Sequence, residues 1–293
     1  MRCFCLALLG PLFFLTLVYG QTAEQRQATL AYLRDCQQPD GGFVPAKSTR
    51  AASGVARSSL RASSAALRAL KYFGGEPRDR DACARFVQRC FDKASGGCAD
   101  HPDTQPDVTS TAVGLLALEE LKLPTGQRES TIKYLTEHVK SFEDIRIAAA
   151  GLEAIGERPR TSDVWLEQIA KLRHADGTFG MDDDVARATG GAVVAVLRLG
   201  GKVEHRDRVL QALKSGQRAD GGFGKEQAKT SDLETSYRVM RAFVRLKDRP
   251  DVERFRSFVA NCRNADGGYG VAPGEPSSVS ATYFASIILH WLK

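Results

Sequence analysis

The groups able to do chemistry in this 293-residue chain are sparse. Apart from Cys3 and Cys5 near the N-terminus, the thiols are Cys36, Cys83, Cys90, Cys98 and Cys262, with no CxxC pair of the kind that holds a metal. His138, His174, His205 and His290 lack ligand spacing, and His101 stands in a loop beside Pro102. Clustered carboxylates can keep a proton on a strong acid, and Asp182-Asp183-Asp184 is such a run, read here as a helix cap plus two solvated acids. Asp107 and Asp232 are residues of the type that caps a helix by accepting a free first-turn N–H. Glu234, Lys229 and Arg187 lie near helix starts, while Tyr237 and Tyr283, with Arg238 and Phe284, either meet a ligand or fill the space it would occupy.

What must position these groups is a repeat. The turn Asp40-Gly41-Gly42-Phe43 recurs as Gly96-Gly97-Cys98, Asp176-Gly177-Thr178-Phe179-Gly180, Asp220-Gly221-Gly222-Phe223-Gly224 and Asp266-Gly267-Gly268-Tyr269-Gly270. After each turn a polar loop leads to a Ser or Asp that opens an Ala-, Leu- and Val-rich helix, at Ser59, Asp107, Asp184, Asp232 and Ser278. A sixth start is placed at Asp144, with Phe142-Glu143 read as the remnant of a trimmed loop. Before each turn the spacing predicts an amphipathic helix: Leu30/Leu33, Phe86/Val87/Cys90, Ile132/Leu135/Val139, Leu166/Ile169/Leu172, Leu210/Leu213 and Phe258/Val259/Cys262. Cys36, Cys90 and Cys262 occupy one equivalent position near the end of that helix and read as buried small apolar residues. The helix after the turn is richer in small residues, as in Ala148-Ala149-Ala150-Gly151, which suits the crowded inner ring of a closed double barrel; an open superhelix is the competing arrangement.

Residues 1–20 hold one charge and an apolar run too short for a spanning helix, the pattern of a signal peptide cleaved after Gly20, so a secreted, periplasmic or cell-envelope location is expected. No second candidate span follows, and no linker divides residues 21–293, so one domain is expected there. The net charge of +6 is spread as mixed pairs without a lysine block, which argues against a nucleic-acid partner.

The five glycine turns and their flanking helices resemble the repeat of the prenyltransferase/squalene-cyclase family over about residues 25–292. Their lengths and turn chemistry, in GGCADHPDTQPDV and NADGGYGVAPGEPSS, are similar to those of the Rab-type geranylgeranyltransferase β-subunit. The resemblance implies an all-α (α/α)6 toroid of six helix pairs whose inner-helix starts face one mouth of a cavity. It also implies zinc, held by an Asp at an inner-helix start, a Cys two residues on and a His from the next repeat. Two residues after the six starts stand Arg61, Thr109, Arg146, Ala186, Glu234 and Ser280; three after stand Ala62, Ser110, Ile147, Arg187, Thr235 and Ala281. Neither set holds a cysteine or histidine, so no metal site and no cofactor are expected. Lys229, three residues before Asp232, stands where the family has a diphosphate-binding lysine.

Two functions compete on this reading. The favoured one is an exported toroid that binds an isoprenoid or other apolar or amphiphilic ligand, or an envelope protein partner, through cavity or rim without zinc catalysis. The alternative is a divergent isoprenoid or protein prenyltransferase acting on a prenyl diphosphate, with Asp232, Glu234 and Asp107 as catalytic candidates and Lys229, Arg187, His101, Tyr237 and Tyr283 as ligand contacts.

Overall fold

Caps and apolar stripes define twelve α-helices among the described residues, which are 21–293 apart from 48, 49, 52, 53, 56, 127 and 226 of this computed structural model. The expected leader therefore lies outside the described residues. Six helices form an outer layer: α1 (Ala23–Asp35), α3 (Arg80–Arg89), α5 (Arg128–His138), α7 (Ser162–Ala170), α9 (Arg206–Ser215) and α11 (Val252–Asn261). Six alternate with them as an inner layer: α2 (Leu60–Phe73), α4 (Val108–Leu121), α6 (Phe142–Ala154), α8 (Val185–Arg198), α10 (Leu233–Leu246) and α12 (Val279–Trp291). Two-residue strands pair as short hairpins, β1 (Arg50–Ala51) with β2 (Gly54–Val55) and β3 (Tyr269–Gly270) with β4 (Ser277–Ser278). Each inner helix packs on the next, and α12 packs on α2, so the ring closes as an (α/α)6 toroid.

Small residues let the inner helices approach. A methyl group added at Gly151 would lie 2.8 Å from the Ala112 backbone of α4, and one at Gly190 would lie 3.1 Å from the Val239 backbone of α10. Ser59, Asp107, Asp232 and Ser278 cap their helices as the sequence predicts, each side chain accepting the N–H three residues on. Two starts differ. The cap of α6 is Ser141, and Asp144 is its capping-box partner, accepting the Ser141 N–H at 3.0 Å; Phe142 and Glu143 form the first helical turn and are no loop remnant. Asp184 caps nothing with its side chain, because a 3-10 turn over Asp182–Asp184 already leads the backbone into α8. Leu172, expected on the buried face of α7, lies beyond that helix and is exposed.

The glycine turns join one repeat to the next. The first glycine of each has φ between +80° and +93°, and a Cβ there would strike the backbone of the next outer helix or of the residues just before it: Ala82 for Gly41, Ser130 for Gly96, Glu204 for Gly177, Arg254 for Gly221. Gly267 makes the same approach to the Ala28 carbonyl of α1, at 2.4 Å, so the last repeat seats on the first. Thr29 Oγ1 donates to the Gly267 carbonyl at 2.7 Å, and the Val279 N–H donates to the Pro45 carbonyl at 2.8 Å across the same seam. The aromatic or cysteine after each pair donates its N–H to a hydroxyl in the first turns of its own inner helix: Phe43 to Ser63, Cys98 to Thr111, Phe179 to Thr189, Phe223 to Ser236 and Tyr269 to Thr282. In α6, whose repeat lacks the turn, the position four residues after the cap is Ile145.

All five described cysteines are buried and free, and Cys36, Cys90 and Cys262 are the C-caps of α1, α3 and α11. Burial pushes the thiols of Cys36, Cys83, Cys90 and Cys262 up to about 12 and raises Cys98 as well.

Gly267→Ala should cost at least about 2 kcal/mol in denaturant unfolding, from left-handed strain plus the clash with Ala28. Gly156→Ala, also at positive φ but with nothing within 4 Å, should cost about 1 kcal/mol; equal costs would contradict the seam. The raised thiols also set a pH dependence. Thiols neutral in the folded state titrate near their ordinary value once unfolded, so their stabilisation is complete below about pH 9 and lost as the pH climbs toward 12. A thiol reagent at pH 8 should label none of the five in the native protein and all five in denaturant.

Candidate functional site

Each inner helix presents one stripe, at three- and four-residue spacing, to the centre of the ring. The stripes comprise Arg61, Ser64, Ala65 and Arg68 of α2; Val113 and Leu116 of α4; Arg146, Ile147 and Ala150 of α6; Gly191, Val194 and Arg198 of α8; Glu234, Tyr237, Arg238 and Arg241 of α10; and Ser280, Tyr283 and Phe284 of α12. They enclose a cavity of about 220 Å³. A groove of about 950 Å³ beside α3 is larger, but it does not draw convergent side chains from all six inner helices. First-turn side chains pair with first-turn side chains and last-turn with last-turn, so the inner helices run parallel and their starts share one mouth.

The mouth is a belt of matched charges. Arg61 meets Asp107 at 2.9 Å. Glu143 receives Arg146 at 2.9 Å and, reaching past α8, Arg238 of α10 at 2.8 Å. Burial works to raise the Glu143 carboxyl, but the two guanidiniums overcome it and hold the group below the ordinary glutamate range. Glu234 receives Lys225 at 3.1 Å, Arg238 at 3.7 Å and Arg187 at 3.9 Å. At the far end Glu153 of α6 joins Arg198 of α8 at 2.9 Å and Arg245 of α10, which closes that side of the ring.

Below the belt, at the floor of the cavity, the matching stops. Arg68 and Arg241, roughly 10 Å below the mouth at 1.5 Å per helical residue, meet no carboxylate among the described residues. Arg68 instead lies over the Tyr283 ring at 4.5 Å, and Arg241 lies over Tyr237 at 4.4 Å and Trp291 at 5.9 Å. Desolvation, reinforced by the like charges of Arg198, Arg68 and Arg146, holds Arg241 well below the ordinary arginine value. The Tyr237 and Tyr283 hydroxyls share a hydrogen bond at 2.8 Å, so these rings form a wall that leaves the cavity open.

The structure brings together only part of the set named from sequence. Glu234, Tyr237 and Tyr283 line the cavity, and Arg187 stands beside it between Asp184 and Glu234. Asp107 and Asp232 are at the inner-helix starts with their carboxylates engaged: Asp107 by the Ser110 N–H and hydroxyl and by Arg61, Asp232 by the Thr235 N–H at 2.8 Å and hydroxyl at 2.9 Å. In the loops, His101 donates from Nδ1 to the Ser58 carbonyl, 2.7 Å away. Lys229 is exposed and is not among the cavity-lining residues. Sequence reasoning missed Glu143, because the start of α6 was set three residues late, and it missed Arg68, Arg146, Arg198 and Arg241. Their signal was arginine recurring inside Ala/Leu-rich helices at ring-facing spacing, as in Arg61/Arg68 and Arg238/Arg241.

Zinc of the family's kind does not fit these residues. Glu143 replaces Arg146 at the position two after the third cap, which still supplies no thiolate, and the cap aspartates already accept protein donors. No three His, Cys, Asp or Glu side chains gather in ligating distance among the described residues.

The prenyltransferase alpha-alpha toroid domain family matches residues 3–79, 62–145 and 145–293. Among solved structures the chain is similar to Candida albicans protein geranylgeranyltransferase-I complexed with GGPP, at 15% identity and TM-score 0.67 over 79% of this chain and 83% of that one. It is also similar to the type II terpene cyclase MstE from Scytonema, at 11% identity and TM-score 0.62 over 92% and 96% of the two chains. The ent-copalyl diphosphate synthase from Streptomyces platensis, at 19% identity and TM-score 0.53, covers 88% of this chain with 54% of its own. No curated protein sequence matches. At these identities the structural likenesses speak for the fold, and with family matches spanning nearly every residue, the chain belongs to the prenyltransferase alpha-alpha toroid family.

Proposed function

We propose that this protein is an exported toroid that holds an amphiphilic ligand in its ring cavity and carries out no zinc-dependent prenyl transfer. The observation that carries the reading is the pairing of an accessible ring centre with first-turn carboxylates already engaged by helix caps and arginines. A thiol-activating zinc needs free ligands at those starts, and the residues there are arginine, threonine, glutamate, alanine and serine. The lining suits a molecule with two characters: arginines for an anionic end, and Val113, Leu116, Ile147, Val194 and Phe284 for an apolar one. The relative solved with GGPP holds a ligand of that class. Export rests on residues 1–20, and an extracytosolic toroid would not meet cytosolic prenyl diphosphates.

Titration of the mature protein with geranylgeranyl diphosphate should give saturable binding that zinc leaves unchanged, with no transfer to a cysteine-containing peptide. Absence of binding would remove the cavity reading, and zinc-dependent transfer would establish the prenyltransferase instead. Protein recovered from the medium of expressing cells should begin at Gln21; retention of residues 1–20 would contradict export.

A further inference from the structure

Resting on the cavity reading, we infer that the floor of the ring, between Arg68 and Arg241, is a site for a dianionic phosphoryl group, so that the ligand's charged end lies deep and its remainder points to the mouth. Six arginines line the cavity against one glutamate, and carboxylates just outside the lining account for most of the excess. Glu143 serves Arg146 and Arg238, Glu153 serves Arg198, and Asp107 serves Arg61. Of the six, Arg68 and Arg241 alone have no carboxylate partner among the described residues, and both belong to the floor.

These two guanidiniums are held ready. Tyr283 lies under one and Tyr237 under the other, and the hydroxyl bond between the tyrosines fixes the two platforms relative to each other. Neither guanidinium donates a hydrogen bond to a protein acceptor among the described residues, so their N–H groups are available to a ligand. Arg198 and Arg146 add to the positive potential, and burial away from bulk water strengthens it at Arg241. Enclosing unmatched cations is unfavourable without an anion, and two of them match a phosphate monoester, which carries about −1.5 to −2 at neutral pH, better than a single carboxylate. At about 220 Å³ the cavity takes a phosphoryl group and a short apolar segment, so a longer chain would emerge at the mouth.

Trp291 stacks on Tyr237 with 5.8 Å between ring centroids and lies beside Arg241, so its fluorescence reports on the floor. The other tryptophan, Trp165, is buried in the outer helix α7 and is removed by Trp165→Phe. Phenyl phosphate should change the Trp291 signal saturably and raise the melting temperature, and benzoate should bind at least about tenfold more weakly, as expected when one of two charge-assisted contacts is lost. Arg68→Gln and Arg241→Gln should each weaken phenyl phosphate binding by about tenfold or more while the unliganded protein melts no lower, because each removes an unmatched charge. Exposed Arg160→Gln should bind as the parent does. Isothermal titration of the parent, which keeps Trp165, repeats the comparison. Phenyl phosphate binding that persists in both floor variants, or benzoate binding as tightly, would overturn the inference. Geranylgeranyl diphosphate binding that persists in those variants would overturn the floor site and leave the cavity reading standing, whereas loss of all ligand binding in the parent would remove both.

Discussion

The fold depends on one contact made again and again: a glycine backbone laid against the backbone of the next repeat's outer layer. At Gly41, Gly221 and Gly267 the space for a Cβ is already occupied by a carbonyl 2.1 to 2.4 Å away, so any other residue would push neighbouring repeats apart. The second glycine seats an aromatic of the following outer helix, Phe86 on Gly42, Tyr134 on Gly97, Phe258 on Gly222 and Tyr32 on Gly268. Because Gly267 and Gly268 make these contacts with α1, the same device that spaces the repeats also closes them. An open superhelix would leave that last pair of glycines facing solvent.

Closure determines the electrostatics. Six parallel helices with their starts on one side concentrate partial positive charge at the mouth, and the sequence places acids there, Asp107, Glu143 and Glu234, among the arginines they pair with. Deeper in, helix dipoles no longer contribute, and the charge of Arg68 and Arg241 is tempered by aromatic faces alone among the described residues. The ring is thus of mixed character, with arginine and aliphatic side chains sharing the walls.

Much of the architecture was legible because it repeats. The glycine turns, the caps Ser59, Asp107, Asp232 and Ser278, and the burial of Cys36, Cys90 and Cys262 follow from local chemistry that each copy states anew. The third repeat was misread because it lost its glycine turn and, with it, the hydroxyl that receives the turn's N–H. Without those markers Asp144 looked like a cap when it is the capping-box partner of Ser141. The site was less legible for a different reason. Which side chain faces the centre depends on the rotation of each helix about its axis, and family positions directed attention to helix starts. Arg68 and Arg241 lie two turns further in, within α2 and α10. Lys229, chosen from the family position, lies on an exposed loop outside the lining.

The most direct test of the closed ring is native-state hydrogen exchange at the Val279 amide, whose bond to the Pro45 carbonyl exists only if the sixth repeat abuts the first. Closure predicts protection approaching the global unfolding free energy, comparable with core amides of α10. Exchange at the rate of an exposed loop amide, with the α10 core still protected, would mean that the repeats do not close upon themselves.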